Sequence, residues 1–105
     1  MCSPISDGAA AVVLCTKPAL RRLADIRPVK VLGCVLASGS SREWSDSEGH
    51  LCRRAADKAY YEAGVGPKDV SVAEVHDASA FAEIVQIENL RFCEIGQGGG
   101  SPNAE

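Results

Sequence analysis

The stretch VSVAEV at residues 70–75 stops at His76-Asp77-Ala78, and a helical pattern then extends from Ser79 to Leu90. A short apolar run that ends at a polar junction before an amphipathic helix is typical of a strand–helix unit in an α/β protein. The carboxyl end of such a strand is the sheet edge where ligands and reacting groups collect. We therefore expect residues 70–75 to form a strand and residues 76–78 to lie at a functional edge.

Two earlier stretches have the same character. AAAVVLC at residues 9–15 follows the turn-forming pair Asp7-Gly8, and VKVLGCVLA covers residues 29–37. Continuous apolar runs, unlike alternating ones, are typical of strands that are buried on both faces. The sequence thus predicts three mainly apolar strands.

Helical patterns follow the first and third of these runs. Thr16 is a candidate N-cap and Pro18 is close to the first helical position, which together predict a short helix to about Ala24. In the third helix, residues 79–90, the apolar positions recur at helical spacing. Both helices are expected to cover the strands.

A longer helix is predicted over residues 48–63, with Asp46 or Ser47 as its N-cap. Gly64 just past its end and Pro67 soon after are a strong stop signal. The resulting order, strand and helix three times over, predicts an α/β fold. Three helices cannot cover both faces of such a sheet, so we expect the sheet to be incompletely covered and the chain to be a piece of something larger.

The composition narrows the classes of function. The chain has 105 residues, 46% of them hydrophobic and 24% charged, with a net charge of −3. This mild acidity gives no electrostatic reason to expect nucleic acid as a partner. The apolar runs are too short to span a bilayer, and no secretory signal opens the chain. We therefore expect no nucleic-acid partner and no membrane span.

Five cysteines are present, an odd number without any Cys-x-x-Cys spacing: Cys2, Cys15, Cys34, Cys52 and Cys93. A disulfide framework or a zinc site is therefore not expected, and a reducing, cytoplasmic location is the natural interpretation. Cys15, Cys34 and Cys52 lie within apolar patterns, where free cysteine acts as a small hydrophobic residue. A single arginine near Cys93 is weak evidence for a reactive thiol.

Two interpretations of His76 remain open. Its imidazole can donate a hydrogen bond to a developing oxyanion, or it can be a strand-end histidine that bonds only its neighbours. Asp77 can either orient His76 or cap the helix through the amide of Ala80, whereas Ser79 is better explained as a cap than as a nucleophile. His50, the other histidine, is expected to be solvated.

The glycine-rich stretch at residues 96–100 follows no predicted strand and opens no helix. It therefore fails the context that a phosphate-binding loop requires.

Four blocks, taken in order, resemble the thiolase family, specifically its sterol-carrier-protein-2-type, non-specific lipid-transfer branch. They are SPISDGAAAVVL (3–14), AADKAYYEAGVGPKDV (55–70), VAEVHDA (72–78) and FCEIGQGG (92–99). The resemblance implies a partial thiolase fold. Residues 1–27 would end the amino-terminal half and residues 28–105 would begin the carboxyl-terminal half.

The chemistry implied by this resemblance is that of an acyl-CoA C-acyltransferase of lipid metabolism, which works through a cysteine thioester. His76 would then belong to an oxyanion hole, supported by Asp77 and by Ser79, which stands where many members have phenylalanine. No cofactor is implied, because the coenzyme A thioester is the substrate. None of the five cysteines falls at a catalytic position of the family, so the chain is expected to be inactive alone.

Two other hypotheses stay open beside this one. The chain could be a non-catalytic module that dimerises or pairs with another thiolase-like chain, in a homo- or hetero-oligomer. It could also be a free-standing small α/β domain, although that hypothesis leaves the apolar strands without cover.

Overall fold

The computed structural model describes residues 4–24 and 26–100. Three α-helices lie in this part of the chain: α1 (Lys17–Leu20), α2 (Leu51–Ala63) and α3 (Ala80–Asn89). A single 3-10 turn, Pro67–Asp69, follows α2. Cys2, Ser3 of the first family-like block and residues 101–105 lie outside the described residues.

The predicted α/β fold is wrong. The described residues contain three helices and no β-strand, so the runs at 9–15, 29–37 and 70–75 form no sheet. Most of their large side chains are also exposed, with Val13 at 89% and Leu36 at 97% of full exposure, and the others are half-buried. An apolar run indicates a tendency to be buried, but a strand also requires a neighbouring strand to bond its backbone. Those runs have no such neighbour within the described ranges.

The end of α2 confirms the sequence-based prediction, whereas its start does not. Gly64 adopts the left-handed conformation (φ 69°) and its N–H donates to the carbonyl oxygen of Tyr60, which closes the helix. The N-cap is His50, not Asp46 or Ser47. Asp46 instead accepts a 2.9 Å hydrogen bond from the Gly49 amide, so its carboxylate closes a turn just before the helix.

The predicted caps of the other two helices are confirmed. Thr16 Oγ1 accepts from the Ala19 amide at 3.4 Å, although α1 ends at Leu20 rather than near Ala24. Ser79 Oγ accepts from the Ala82 amide at 3.2 Å and starts α3. Both caps are local, because acceptor and donor are three residues apart, and local signals of this kind can be recognised in a sequence.

Helices α2 and α3 pack against each other through polar bonds at least as much as through apolar contact. Ala56 is the buried hydrophobic residue of the described chain, while Arg53 and Asn89 are buried to 4% exposure. Arg53 Nη1 donates to the Glu88 carbonyl oxygen at 2.8 Å. The Tyr60 hydroxyl donates to the Leu90 carbonyl oxygen at 2.7 Å. These bonds fix the last turn of α3 along the side of α2.

Two glycines allow the flanking segments to lie directly on this helix pair. A Cβ at Gly33 would be 3.0 Å from the Ala59 carbonyl oxygen, so the 29–37 segment runs close along α2. A Cβ at Gly98 would be 2.7 Å from the Ile84 carbonyl oxygen of α3. The Gly98 amide also donates to Glu88 Oε1 at 3.0 Å, which holds the glycine-rich turn on α3. No helix in the described ranges is long and apolar enough to cross a membrane.

Candidate functional site

An open groove of about 450 Å³ lies where the helix pair meets residues 35–37 and 74–76. Most of its lining is apolar and comes from α2 and from residues 35–37. The polar side chains along it are Cys52, Glu74, His76 and Gln86. A mostly apolar concavity with a few polar groups is the usual form of a small-molecule site.

His76 reaches this groove from the chain just before α3. It is exposed, and Ser79, three residues later, fixes the direction in which α3 leaves. No hydrogen bond joins its imidazole to a partner in the described ranges, and both interpretations of His76 stay open. An accessible imidazole N–H at a groove wall can donate to an oxygen of a bound molecule. Its catalytic role stays a prediction.

The two supporting residues have separate positions. Ser79 uses its hydroxyl as the N-cap of α3, so that oxygen is already engaged by a main-chain amide. Asp77 is exposed and is not the cap. Glu83 lies in the first turn of α3, where a negative charge interacts favourably with the helix dipole. Whether Asp77 orients His76 stays a prediction.

Two groove residues were missed by the sequence analysis. Gln86 Nε2 donates to Cys52 Sγ at 3.7 Å, which joins α3 to α2 along the groove wall. The sequence did contain a signal for Gln86. Gln86 and Asn89 are polar residues one helical turn apart, and they interrupt the apolar face of α3. Cys52 was interpreted as a small hydrophobic residue, and its half-buried position is consistent with this.

His50 is also more than a solvated side chain, so that expectation is wrong. Its Nδ1 accepts from the Cys52 amide at 3.2 Å and lies 3.1 Å from Asn89 Nδ2. Burial, followed by the positive charge of Arg42, lowers the pKa of His50 below its ordinary value. The imidazole is therefore neutral at neutral pH.

A cluster of charges holds the helix pair together. Arg91 donates hydrogen bonds to the Asp57 carboxylate from both Nε and Nη2, and its Nη2 also lies 3.1 Å from Glu48 Oε2. Arg53 Nη2 lies 2.9 Å from the other oxygen of Glu48. The hydrogen bond from Arg91 lowers the pKa of Asp57, and the one from Arg53 lowers the pKa of Glu48. These ion pairs hold α2 to the end of α3, but the charged residues that form them do not line the groove.

The cysteines differ in their environment. Cys15 and Cys34 are exposed, so the expectation that they are buried as small hydrophobic residues is wrong for these two. Burial, then the charges of Glu88 and Glu94, raises the pKa of Cys93. That thiol is protonated at neutral pH and is a poor nucleophile.

Comparison with known proteins identifies the family of the chain. Residues 33–104 match the family model described as "Thiolase C-terminal domain-like". A benzoylsuccinyl-CoA thiolase subunit of Thauera aromatica is 36% identical over 92% of the chain. An acetyl-CoA acetyltransferase of Methanocaldococcus jannaschii is 40% identical over 93%. Sterol carrier protein 2 of Rattus norvegicus is 30% identical over 93%.

The chain covers 26% of the length of the first two relatives and 19% of the third. No solved structure matches it significantly. The family model nevertheless spans most of the chain and includes α2, α3, His76 and Gln86. The chain therefore belongs to the thiolase family, and its match lies in that family's C-terminal domain.

Proposed function

We propose that this chain contributes one wall of the active site of a thiolase-type acyl-CoA C-acyltransferase and is inactive without a cysteine-bearing thiolase half. The observation that carries the proposal is the family match over residues 33–104, which includes His76 at the groove. The relatives named acetyl-CoA acetyltransferase and benzoylsuccinyl-CoA thiolase support acyl-CoA as the substrate class. The chain would act as part of a homo- or hetero-oligomer of thiolase-like chains.

His76 is the oxyanion-hole donor in this proposal. Attack on a thioester, or removal of a proton next to it, places negative charge on the carbonyl oxygen. An imidazole N–H already aimed at that oxygen stabilises the charge as it develops. Asp77 orients the imidazole, and Ser79 contributes indirectly by fixing the start of α3. No metal or organic cofactor takes part, because the coenzyme A thioester itself activates the acyl group.

A chimera tests this role. The 105 residues replace the matching 26% of the Methanocaldococcus jannaschii acetyl-CoA acetyltransferase, which supplies the rest of its own chain. We expect the chimera to cleave acetoacetyl-CoA, and the full chain alone to show no turnover. His76→Ala in the chimera should lower kcat about 100- to 1,000-fold, the usual cost of one oxyanion donor.

The matched control is Lys58→Ala, because Lys58 lies on the exposed side of α2 with a side chain that is 65% exposed. It should leave kcat within twofold of the parent chimera. His76 is itself exposed, so His76→Ala should leave the midpoint of urea unfolding unchanged. A folded chimera in which His76→Ala turns over as fast as the parent would refute the assignment. Thiolysis by the full chain alone would refute its proposed inactivity.

A second candidate function is a non-catalytic pairing module, and the exposed apolar side chains favour it. Val12, Val29 and Leu36 are 85%, 92% and 97% exposed, and each lies outside the helices. Isolated apolar residues on a surface need no explanation, but runs of them mark surfaces that bind other proteins. The occupant would be a second copy or a cysteine-bearing thiolase half.

Both candidates involve pairing, so they are separated by the activity of the chimera and its loss in His76→Ala. The solution mass of the full chain tests the pairing itself. A dimer or larger assembly in light scattering, broken by Leu36→Glu but not by Lys58→Glu, would support the pairing module. A monodisperse monomer at high micromolar concentration would contradict self-pairing. Co-expression with the amino-terminal half of the Methanocaldococcus jannaschii enzyme then tests pairing with a cysteine-bearing chain, since a module of this kind should co-elute with it.

A further inference from the structure

A single ring nitrogen connects the beginning of α2 to the end of α3. His50 Nδ1 accepts the Cys52 main-chain N–H at 3.2 Å and lies 3.1 Å from the side-chain amide of Asn89. Asn89 is the last residue of α3 and is buried to 4% exposure. The two bonds at His50 Nδ1 therefore join residues that are far apart in sequence but adjacent in the helix pair.

The protonation state of His50 follows from the chemistry of its partners. A main-chain N–H can only donate, so Nδ1 carries its lone pair toward Cys52 and the ring proton is on Nε2. A second proton would go to Nδ1 and would face the Cys52 N–H. Rotation of the Asn89 amide restores its own bond to the ring, by presenting Oδ1. It does not restore an acceptor for Cys52, so α2 loses its cap.

The surroundings also oppose a positive charge on the ring. His50 lies at the positive end of the α2 dipole, where cations are unfavourable. The charged residues on the preceding loop, in the first part of α2 and around the end of α3 are Arg42, Glu43, Asp46, Glu48, Arg53, Arg54, Glu88 and Arg91. The two acidic residues closest to His50 in the sequence are already engaged: Glu48 by Arg53 and Arg91, and Asp46 by the Gly49 amide. Arg42 acts on the ring as a like charge.

We propose that His50 is a pH-sensitive latch on the first turn of α2, closed when the neutral imidazole accepts the Cys52 N–H and opened by protonation of the ring. The folded chain favours the neutral ring, and the direction of the pKa shift agrees with this. The latch is therefore fully closed above the ordinary pKa of 6.5, and its contribution is lost as the pH falls below that value through the lower folded pKa. Because Cys52 lies in the first turn of α2 and lines the groove, opening the latch loosens that part of the groove wall.

Nuclear magnetic resonance of the full chain between pH 8 and pH 5 tests the latch. The two histidines are followed by their ring signals, and the Cys52 amide by its protection against hydrogen exchange. We expect His50 to titrate below 6.5 from the Nε2–H tautomer. The protection factor of Cys52 should fall about fivefold as His50 becomes protonated, which is the fold-change for loss of a helix cap.

Two variants serve as a matched pair. His50→Asn keeps an oxygen acceptor that caps at every pH, so the Cys52 protection factor should stop depending on pH. His76→Asn removes the other histidine and should leave the dependence unchanged. Titration of His50 at or above 6.5 would overturn the proposal. So would the same pH dependence of Cys52 in His50→Asn, and the wild-type titration decides the matter even if a variant does not fold.

Discussion

Arg53 of α2 donates a 2.8 Å hydrogen bond from Nη1 to the carbonyl oxygen of Glu88 in the last turn of α3. The Arg53 side chain is only 5% exposed, so this bond is shielded from water. A cation at the C-terminal end of a helix also complements the helix dipole. The bond links two residues 35 positions apart, and it is one of the main attachments between the helices that line the groove.

Arg53→Met is expected to destabilise the chain by about 1–2 kcal/mol. Hydrogen bonds from charged groups contribute about 1.5–3 kcal/mol each, and methionine keeps the apolar stem of the side chain. Part of the loss is offset, because Arg53 Nε is buried without an acceptor in the described ranges and disappears with the substitution. The measurement is the free energy of unfolding in urea, followed by circular dichroism.

The control for this substitution is Lys58→Met on the same helix. Its ammonium lies 3.9 Å from Glu62 and is well exposed, so the pair contributes little. The change should stay within about 0.5 kcal/mol of the wild type. Equal effects of the two substitutions would mean that Arg53 does not join the helices in solution.

The left-handed backbone conformation of Arg91 should lower the stability of the folded chain, and two substitutions measure by how much. It follows α3 with φ 59°, the only non-glycine residue with positive φ in the described ranges, and its side chain binds Asp57 and Glu48. Arg91→Ala removes the ion pairs but keeps the left-handed strain, whereas Arg91→Gly removes both. We expect the glycine variant to be more stable than the alanine variant by about 1 kcal/mol.

Both variants should unfold at lower urea concentration than the wild type, because the ion pairs with α2 are lost in each. An alanine variant as stable as the glycine variant would show that Arg91 does not hold its left-handed conformation in solution.

The sequence predicted those features that depend on neighbouring residues only. Ser79 as the N-cap of α3 and Gly64 as the end of α2 follow from local signals, and both are confirmed. His50 was missed as a cap because histidine is not among the usual N-cap residues, and its contact with Asn89, 39 residues away, gives no local signal. The same limit explains the wrong sheet. An apolar run such as residues 29–37 indicates a tendency to be buried. Whether it forms a strand depends on a second strand that bonds its backbone, and the run itself does not contain that information.

Gly98→Ala should release the glycine-rich turn from α3. A Cβ at this position would meet the Ile84 carbonyl oxygen at 2.7 Å and Ile84 Cγ2 at 2.9 Å, closer than atoms can pack. The turn must therefore move, and the hydrogen bond from the Gly98 amide to Glu88 Oε1 is lost. We expect a loss of about 1–3 kcal/mol in unfolding free energy.

Gly99→Ala is the matched control, because a Cβ there would meet nothing within 4 Å. It should change the unfolding free energy by less than about 0.5 kcal/mol. If both alanine variants keep wild-type stability and residue 98 keeps its amide protection, the turn is not packed on α3.

The ion pair between Asp57 and Arg91 should make the chain less stable in acid. The hydrogen bond from Arg91 lowers the pKa of Asp57 below its ordinary value of 3.8, so the unfolded state binds a proton more readily than the folded state. The ion pair stabilises the folded chain fully at pH values well above 3.8. This stabilisation is lost as the pH falls through the lower pKa that Asp57 has in the folded chain.

The measurement is the urea midpoint between pH 6 and pH 2. In Asp57→Asn this decline should be shallower and the midpoint at pH 6 lower, because the ion pair with Arg91 is lost. A wild-type slope in Asp57→Asn would show that another carboxylate, with Glu48 as the first alternative, controls the acid response.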